Sequence, residues 1–136
     1  MDWKACHDSG LVKTIKVDPN LVRSLIKESL KKLSTQDQIL LTEETASSKI
    51  TLAYDSVRML LEAIAIKNGY KVYNHDCYKA FLKEVLKKSI LGEEFDKYRK
   101  IRNSINYYGK EIKGTSAKII IDQLVEFHQK LMEYLR

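Results

Sequence analysis

At 136 residues the chain has the length of one domain, and its 44% hydrophobic and 31% charged residues are an ordinary globular balance. Five Gly and a single Pro leave few places for turns, which favours a few long helices. The net charge of +6 makes an anionic partner such as RNA, a nucleotide or an acidic protein more plausible than a cationic one. No segment approaches the ~20 apolar residues of a membrane span, and the start of the chain lacks the apolar core of a signal peptide. We therefore expect a cytoplasmic protein that does not contact a membrane.

The N-terminal residues 1–17 predict an extension that lies on a single helical domain of residues 18–136. An alternating run over 11–17 is too brief to predict a strand. Cys6 and Cys77 are the only cysteines. Without a secretory signal, we expect both to be reduced thiols.

The same cysteines have histidines close by in the sequence, His7 and His75. Together they supply the ligand types of a zinc site. Neither Cys–His pair has the spacing of a CxxC or HxxxH motif, and adjacent side chains rarely bind one metal without strain. We predict no metal and no cofactor.

Two helices are predicted in the first half of the chain. An N-cap at Asp18 predicts a first helix over 19–33, followed by a connection over 34–38. Thr42 and the acidic residues after it predict the start of a second helix, which ends at about Asn68. The second helix is the most apolar segment of the chain, so we expect it to be central.

Three helices are predicted in the second half. A turn over 70–73 leads to a third helix that Asn74 can cap and that ends near Gly92. A fourth helix covers 93–113 and a last helix covers 114–135. Segments with the strand period are absent, so the predicted fold is all-α, an antiparallel up-and-down bundle of about five helices. His128 lies within the apolar stripe of the last helix, which predicts a hydrogen-bonded core histidine.

The fourth helix carries the most informative pattern. Its apolar side holds Tyr98, Ile101, Ile105, Tyr108 and Ile112. The adjoining side forms what we call the polar ridge, made of Arg99, Arg102, Asn103, Asn106 and Lys110. Guanidinium groups suit phosphate or carboxylate oxygens, and Asn amides both donate and accept. The ridge predicts either a phosphate-binding site or a solvated helix face.

Two tyrosines follow the arginines of the ridge. The ring of Tyr107 offers an aromatic face on which a base could stack. Tyr108 lies on the apolar side, so we prefer a core or interface role for it.

Three segments of the chain resemble the HEPN family, the higher-eukaryote and prokaryote nucleotide-binding domains. They read YDSVRMLLEAIAIKNGY at 54–70, YNHDCYKAF at 73–81 and YRKIRNSINYYGKEI at 98–112. The resemblance implies a small all-α bundle that dimerises. In active members an Arg, followed after four to six residues by a His, forms a metal-independent ribonuclease site.

The motif is incomplete in this chain. Arg102 with Asn103 matches the Arg and its polar neighbour, but Tyr107 stands where a His would follow Arg102, and Asn106 stands where a His would follow Arg99. Neither side chain exchanges protons efficiently at neutral pH. The resemblance therefore implies that the phosphate-holding half is kept and the proton-transferring half is lost. His75, at the start of the third helix, is an accessory candidate for the missing imidazole.

These observations predict a homodimeric module that binds RNA or nucleotide phosphate without strong catalysis. The resemblance implies a minimal nucleotidyltransferase as partner, in a toxin–antitoxin or substrate-binding pair. The alternatives are an active metal-independent endoribonuclease toxin with a rearranged site, and a dimeric scaffold module that has no catalytic role.

Overall fold

The computed structural model describes residues 1–136 and shows the predicted all-α helical bundle. A π-helical turn covers Phe81–Val85, and a 3₁₀ turn covers Glu133–Leu135. None of the helices combines the length and apolar composition of a membrane span. The elements are α1 Trp3–Asp8, β1 Val12–Thr14, α2 Pro19–Gln38, α3 Ala46–Lys67, β2 Tyr70–Val72, α4 Cys77–Ala80, α5 Ser89–Tyr108 and α6 Gly114–Met132.

Helix α3 is central, as its apolar composition predicts. It packs against α2, α5 and α6 and also contacts β2. Leu61 and Ile64 are completely buried, and the small side chains of Ala53 and Ala63 let neighbouring helices approach closely. The helix ends at Lys67, and Gly69 takes the left-handed conformation that follows many helix ends, with φ of 89°.

Helix α2 is longer than predicted, because residues 34–38 continue it instead of forming a connection. The buried ammonium of Lys49 donates to the main-chain oxygens of Gln36 and Ile39, the latter at 2.6 Å. A cation at this end meets carbonyl groups that have no partner within the helix. This contact from α3 allows the last turn of α2 to form, and it could not be seen in the local sequence.

The boundary between α4 and α5 also differs from the prediction. Gly92 does not end a helix but lies in the first part of α5, which begins at Ser89. A Cβ at Gly92 would lie 3.0 Å from the main-chain oxygen of Lys79, so glycine permits a close approach here. The chain reverses instead at Lys87, which has a positive φ of 59°.

At its other end α5 stops at Tyr108 instead of continuing to 113. Gly109 has a left-handed φ of 63° and its N–H donates to the oxygen of Ser104. Lys110 and Ile112 therefore lie on the connection to α6 and not on the face of a helix.

The N-terminal residues 1–17 are built into the domain surface by a short sheet. β1 pairs antiparallel with β2, in the register Val12 with Val72, Lys13 with Lys71 and Thr14 with Tyr70. The expected absence of strands and the turn over 70–73 were therefore wrong. Val12 and Val72 are both buried in the main core.

Cys6 and Cys77 are joined by a disulfide, with Cα atoms 6.1 Å apart, and both are completely buried. The prediction of reduced thiols was wrong. The two residues are 71 positions apart, and only the packing of α1 against α4 brings them together. Because both sulfurs are used in the disulfide, neither is free to bind zinc.

His128 is the core histidine that the sequence predicts. It is buried on α6, and its Nε2 lies 2.8 Å from Oγ of the fully buried Ser29. Burial lowers the pKa of His128 from its ordinary value of 6.5 to about 4, so the ring is neutral at pH 7.

Candidate functional site

Arg102 projects from α5 towards α3 and contacts two aromatic rings. Its guanidinium carbon lies 5.4 Å from the ring centroid of Tyr54 and 5.6 Å from that of Tyr107. Its Nη1 donates to Oδ1 of Asn103 at 3.3 Å and to the hydroxyl of Tyr107 at 3.4 Å. Cation–π contacts of this kind hold a guanidinium in place without neutralising its charge.

Arg102 also differs from its neighbours in having no acidic partner. Arg58 is paired with Glu62 at 3.2 Å and Arg99 with Asp96 at 2.8 Å, whereas Arg102 forms no salt bridge. Its Nε is buried and has no hydrogen-bond partner. A partly desolvated cation without a counter-charge is costly unless a ligand supplies one.

Arg99 has a different environment, although it lies on the same ridge. Its Nε and Nη2 donate to Oδ1 of Asp96 at 3.0 and 2.8 Å, and its Nη2 lies 3.4 Å from Oδ1 of Asp76. Burial alone would raise the pKa of Asp96, but hydrogen bonds from Arg99 and Lys100 outweigh it and hold that pKa below its ordinary value. Arg99 therefore ties α5 to the turn before α4.

The remaining residues of the polar ridge do not converge on Arg102. Asn103 accepts from Arg102, but the exposed Asn106 lies 3.5 Å from Oγ1 of Thr51. Lys110 lines a pocket of about 530 Å³ between the start of α3 and the α5–α6 connection. Of the ridge residues, only Arg102 and Asn103 are in contact with each other, whereas Arg99, Asn106 and Lys110 face other groups.

His75 lies in the turn before α4 and reaches the site through Tyr54. Its Nδ1 is 3.0 Å from the hydroxyl oxygen of Tyr54, whose ring contacts Arg102. Burial, followed by the positive charges of Arg58, Arg102 and Arg99, lowers the pKa of His75 from 6.5 to about 4. At pH 7 the ring is therefore neutral.

Tyr54 is the site residue that sequence reasoning missed. The pattern of α3 predicts it as a core residue, and it is completely buried. Burial raises its pKa well above the ordinary 10.0, despite the opposing charges of Arg102 and Arg58, so the phenol keeps its proton. A tyrosine on an otherwise aliphatic stripe is the available signal, because a buried hydroxyl needs a polar partner.

The two tyrosines at the end of α5 are both exposed. Tyr107 is 68% exposed and Tyr108 is 82% exposed. Tyr108 is not part of the core, because the helix ends there and the last turn extends past the packed surface. An interface role for Tyr108 stays a prediction.

The fold and the site together define a helical bundle that presents one partly buried, uncompensated arginine beside a neutral Tyr–His pair. Comparisons of the chain with protein-family models, with curated proteins and with solved structures gave no match.

Proposed function

We propose that the chain is a HEPN-like module that binds the phosphate of RNA or of a nucleotide at Arg102. The observation that supports the proposal most strongly is that Arg102 has no acidic partner, while the neighbouring Arg58 and Arg99 are paired. Nη1 of Arg102 donates to Asn103 and Tyr107, whereas Nη2 makes no hydrogen bond and can donate to a phosphate oxygen. The exposed ring of Tyr107 lies beside it and offers a surface on which a base can stack.

Binding without strong catalysis fits the groups around Arg102 best. The only imidazole near it belongs to His75, whose pKa of about 4 makes it a weak base at neutral pH. Because His75 is linked to Arg102 through Tyr54, a metal-independent ribonuclease is the second candidate function. Cleavage of a labelled RNA by the parent protein in EDTA, lost in Arg102→Ala, would favour the ribonuclease over the binding module.

Fluorescence anisotropy with a labelled single-stranded RNA tests the proposal. Arg102→Ala should weaken binding about ten- to a hundredfold, because it removes charge-assisted hydrogen bonds worth ~1.5 to 3 kcal/mol. The matched control is Arg23→Ala, which removes the same charge from the exposed face of α2, where the side chain of Arg23 donates a hydrogen bond to Asn20 and forms no salt bridge. Equal affinities of the two variants would contradict the proposal.

Arg102→Lys separates charge from geometry in the same assay. Lysine keeps the charge but loses the planar fork, so we expect an affinity between those of the parent and Arg102→Ala. Circular dichroism should show unchanged helix content in all three variants, because Arg102 makes no salt bridge that holds the bundle together.

The proposal includes a homodimer and a minimal nucleotidyltransferase as partner. The exposed Tyr107 and Tyr108 at the end of α5 support a protein interface, because aromatic side chains are enriched at such surfaces. Light scattering should give the mass of two chains at micromolar concentration. A monomer in that measurement would contradict the dimer and leave the binding site to be tested separately.

A further inference from the structure

The Tyr54–His75 pair is placed so that it can respond to a charge bound at Arg102. Tyr54 contacts Arg102 with its ring and His75 with its hydroxyl, so one buried side chain joins the two. When the neutral imidazole carries its hydrogen on Nε2, Nδ1 accepts the phenol hydrogen of Tyr54. The hydroxyl is then occupied and cannot donate to a ligand.

We propose that an anion bound at Arg102 favours the addition of one proton to Nδ1 of His75, so that anion and proton are bound together in acidic solution. This inference rests on the proposed function, because it concerns the same site. The proton comes from solvent, and no other bond is made or broken. The protonated Nδ1 donates to the Tyr54 oxygen, which reverses their hydrogen bond. The Tyr54 hydroxyl hydrogen is thereby released to donate to the bound anion.

The charges around His75 explain why the proton is absent before the anion binds. Three arginines act on the ring, two from α5 and one from α3, and with burial they lower its pKa to about 4. The carboxylate of Glu62, which is paired with Arg58 and Lys71, acts in the opposite direction and raises the pKa of His75, but its effect is smaller. The groups that face or adjoin the ring are Tyr54, Arg58 and Glu62 on α3, Asp76 and Tyr78 at the start of α4, and Arg99 and Arg102 on α5.

Arg102 is the one charge in this group that an incoming anion can neutralise. Carboxylates already compensate Arg58 and Arg99, so an anion would add most of its effect at Arg102. The bound anion adds a negative charge that offsets the charge of Arg102, and near a partly buried ring this favours the protonated form. Reciprocity requires that protonation of His75 then strengthens anion binding by the same factor.

The test is an NMR titration of the three histidine rings in the parent protein, with and without sulfate. Sulfate is the probe because its own charge does not change across the pH range used. Sodium chloride at equal ionic strength is the control. We expect sulfate to raise the pKa of His75 by about one pH unit and to leave that of His128, which contacts Ser29, unchanged.

The same coupling should appear as a pH dependence of the affinity for sulfate. If sulfate raises the pKa of His75 by about one pH unit, sulfate should bind about threefold more tightly at about pH 4.5 than at about pH 7.5. In His75→Gln, the affinity for sulfate should not rise between about pH 7.5 and about pH 4.5, whatever its value at the higher pH. In Tyr54→Phe, His75 should still titrate, but the gain should be smaller because no hydroxyl is released.

The outcomes separate this inference from the proposed function. Sulfate that shifts the Arg102 resonances without changing the pKa of His75 would overturn the coupling and leave the binding site intact. An equal gain on acidification in the parent and in His75→Gln would overturn it as well. If both Arg102→Ala and Arg102→Lys bind RNA as tightly as the parent does, the proposed function itself is contradicted.

Discussion

Breaking the Cys6–Cys77 disulfide should lower the free energy of unfolding by about 4 kcal/mol. The two residues are 71 positions apart, and closing a loop of that length removes chain entropy from the unfolded state by roughly this amount at 25 °C. For a chain of this size the melting temperature should fall by roughly 10 to 15 °C. The domain should still fold, because β1 stays paired with β2 and the Trp3 N–H donates to Glu84 at 2.6 Å.

Two matched samples isolate the effect of the bond. Guanidinium unfolding should be compared for the parent with and without a phosphine reductant, and for the Cys6→Ala, Cys77→Ala double variant with and without it. Only the parent should respond to the reductant. Alkylation followed by mass measurement counts free thiols in the untreated parent. Two alkylated cysteines there, or equal unfolding midpoints in the two parent samples, would refute the reasoning.

Two further predictions concern pH and catalysis. The folded state keeps His128 and His75 neutral with pKa values of about 4, whereas the unfolded chain takes up protons below about 6.5, so stability should be lost as pH falls from 6.5 towards 4. The slope should reach up to ~1.4 kcal/mol per pH unit for each histidine, and denaturant unfolding of His128→Gln should show a shallower slope than the parent; equal slopes would count against it. Asn106→His should place an imidazole one helical turn from Arg102 and create or raise RNA cleavage that persists in EDTA. That cleavage should vanish when Arg102→Ala is added, and a double variant that still cuts would show that the ridge is not the site.

The long helices could be predicted because their signals are local. Asp18 accepts from the N–H groups of Asn20 and Leu21 at 3.1 Å, as its capping role predicts. The apolar period located α3 in the centre of the bundle. By contrast, the extra turn of α2 depends on Lys49, which lies on the next helix.

The candidate site could be predicted only in part. A helical period shows which side chains of α5 share a face, and it found Arg102 and Asn103 together. It cannot show what lies opposite that face. The acidic partners of Arg99, the aromatic contact of Arg102 with Tyr54 and the position of His75 all depend on packing between segments far apart in sequence.

Helix α5 is held against α4 and the turn before it at two points. Its backbone rests on Lys79 at Gly92, and seven residues further on the Arg99–Asp76 pair anchors it again, about 10 Å along the axis. The segment of α5 from Arg99 to Tyr107 has nearly the same length as the segment from Gly92 to Arg99. A side chain inserted at Gly92 would push the first turn of α5 away from Lys79, and we expect the stiff helix to pass part of this shift on to the segment that carries Arg102. The position of the helix that carries Arg102 thus depends in part on a residue that lies more than two helical turns away and carries no side chain.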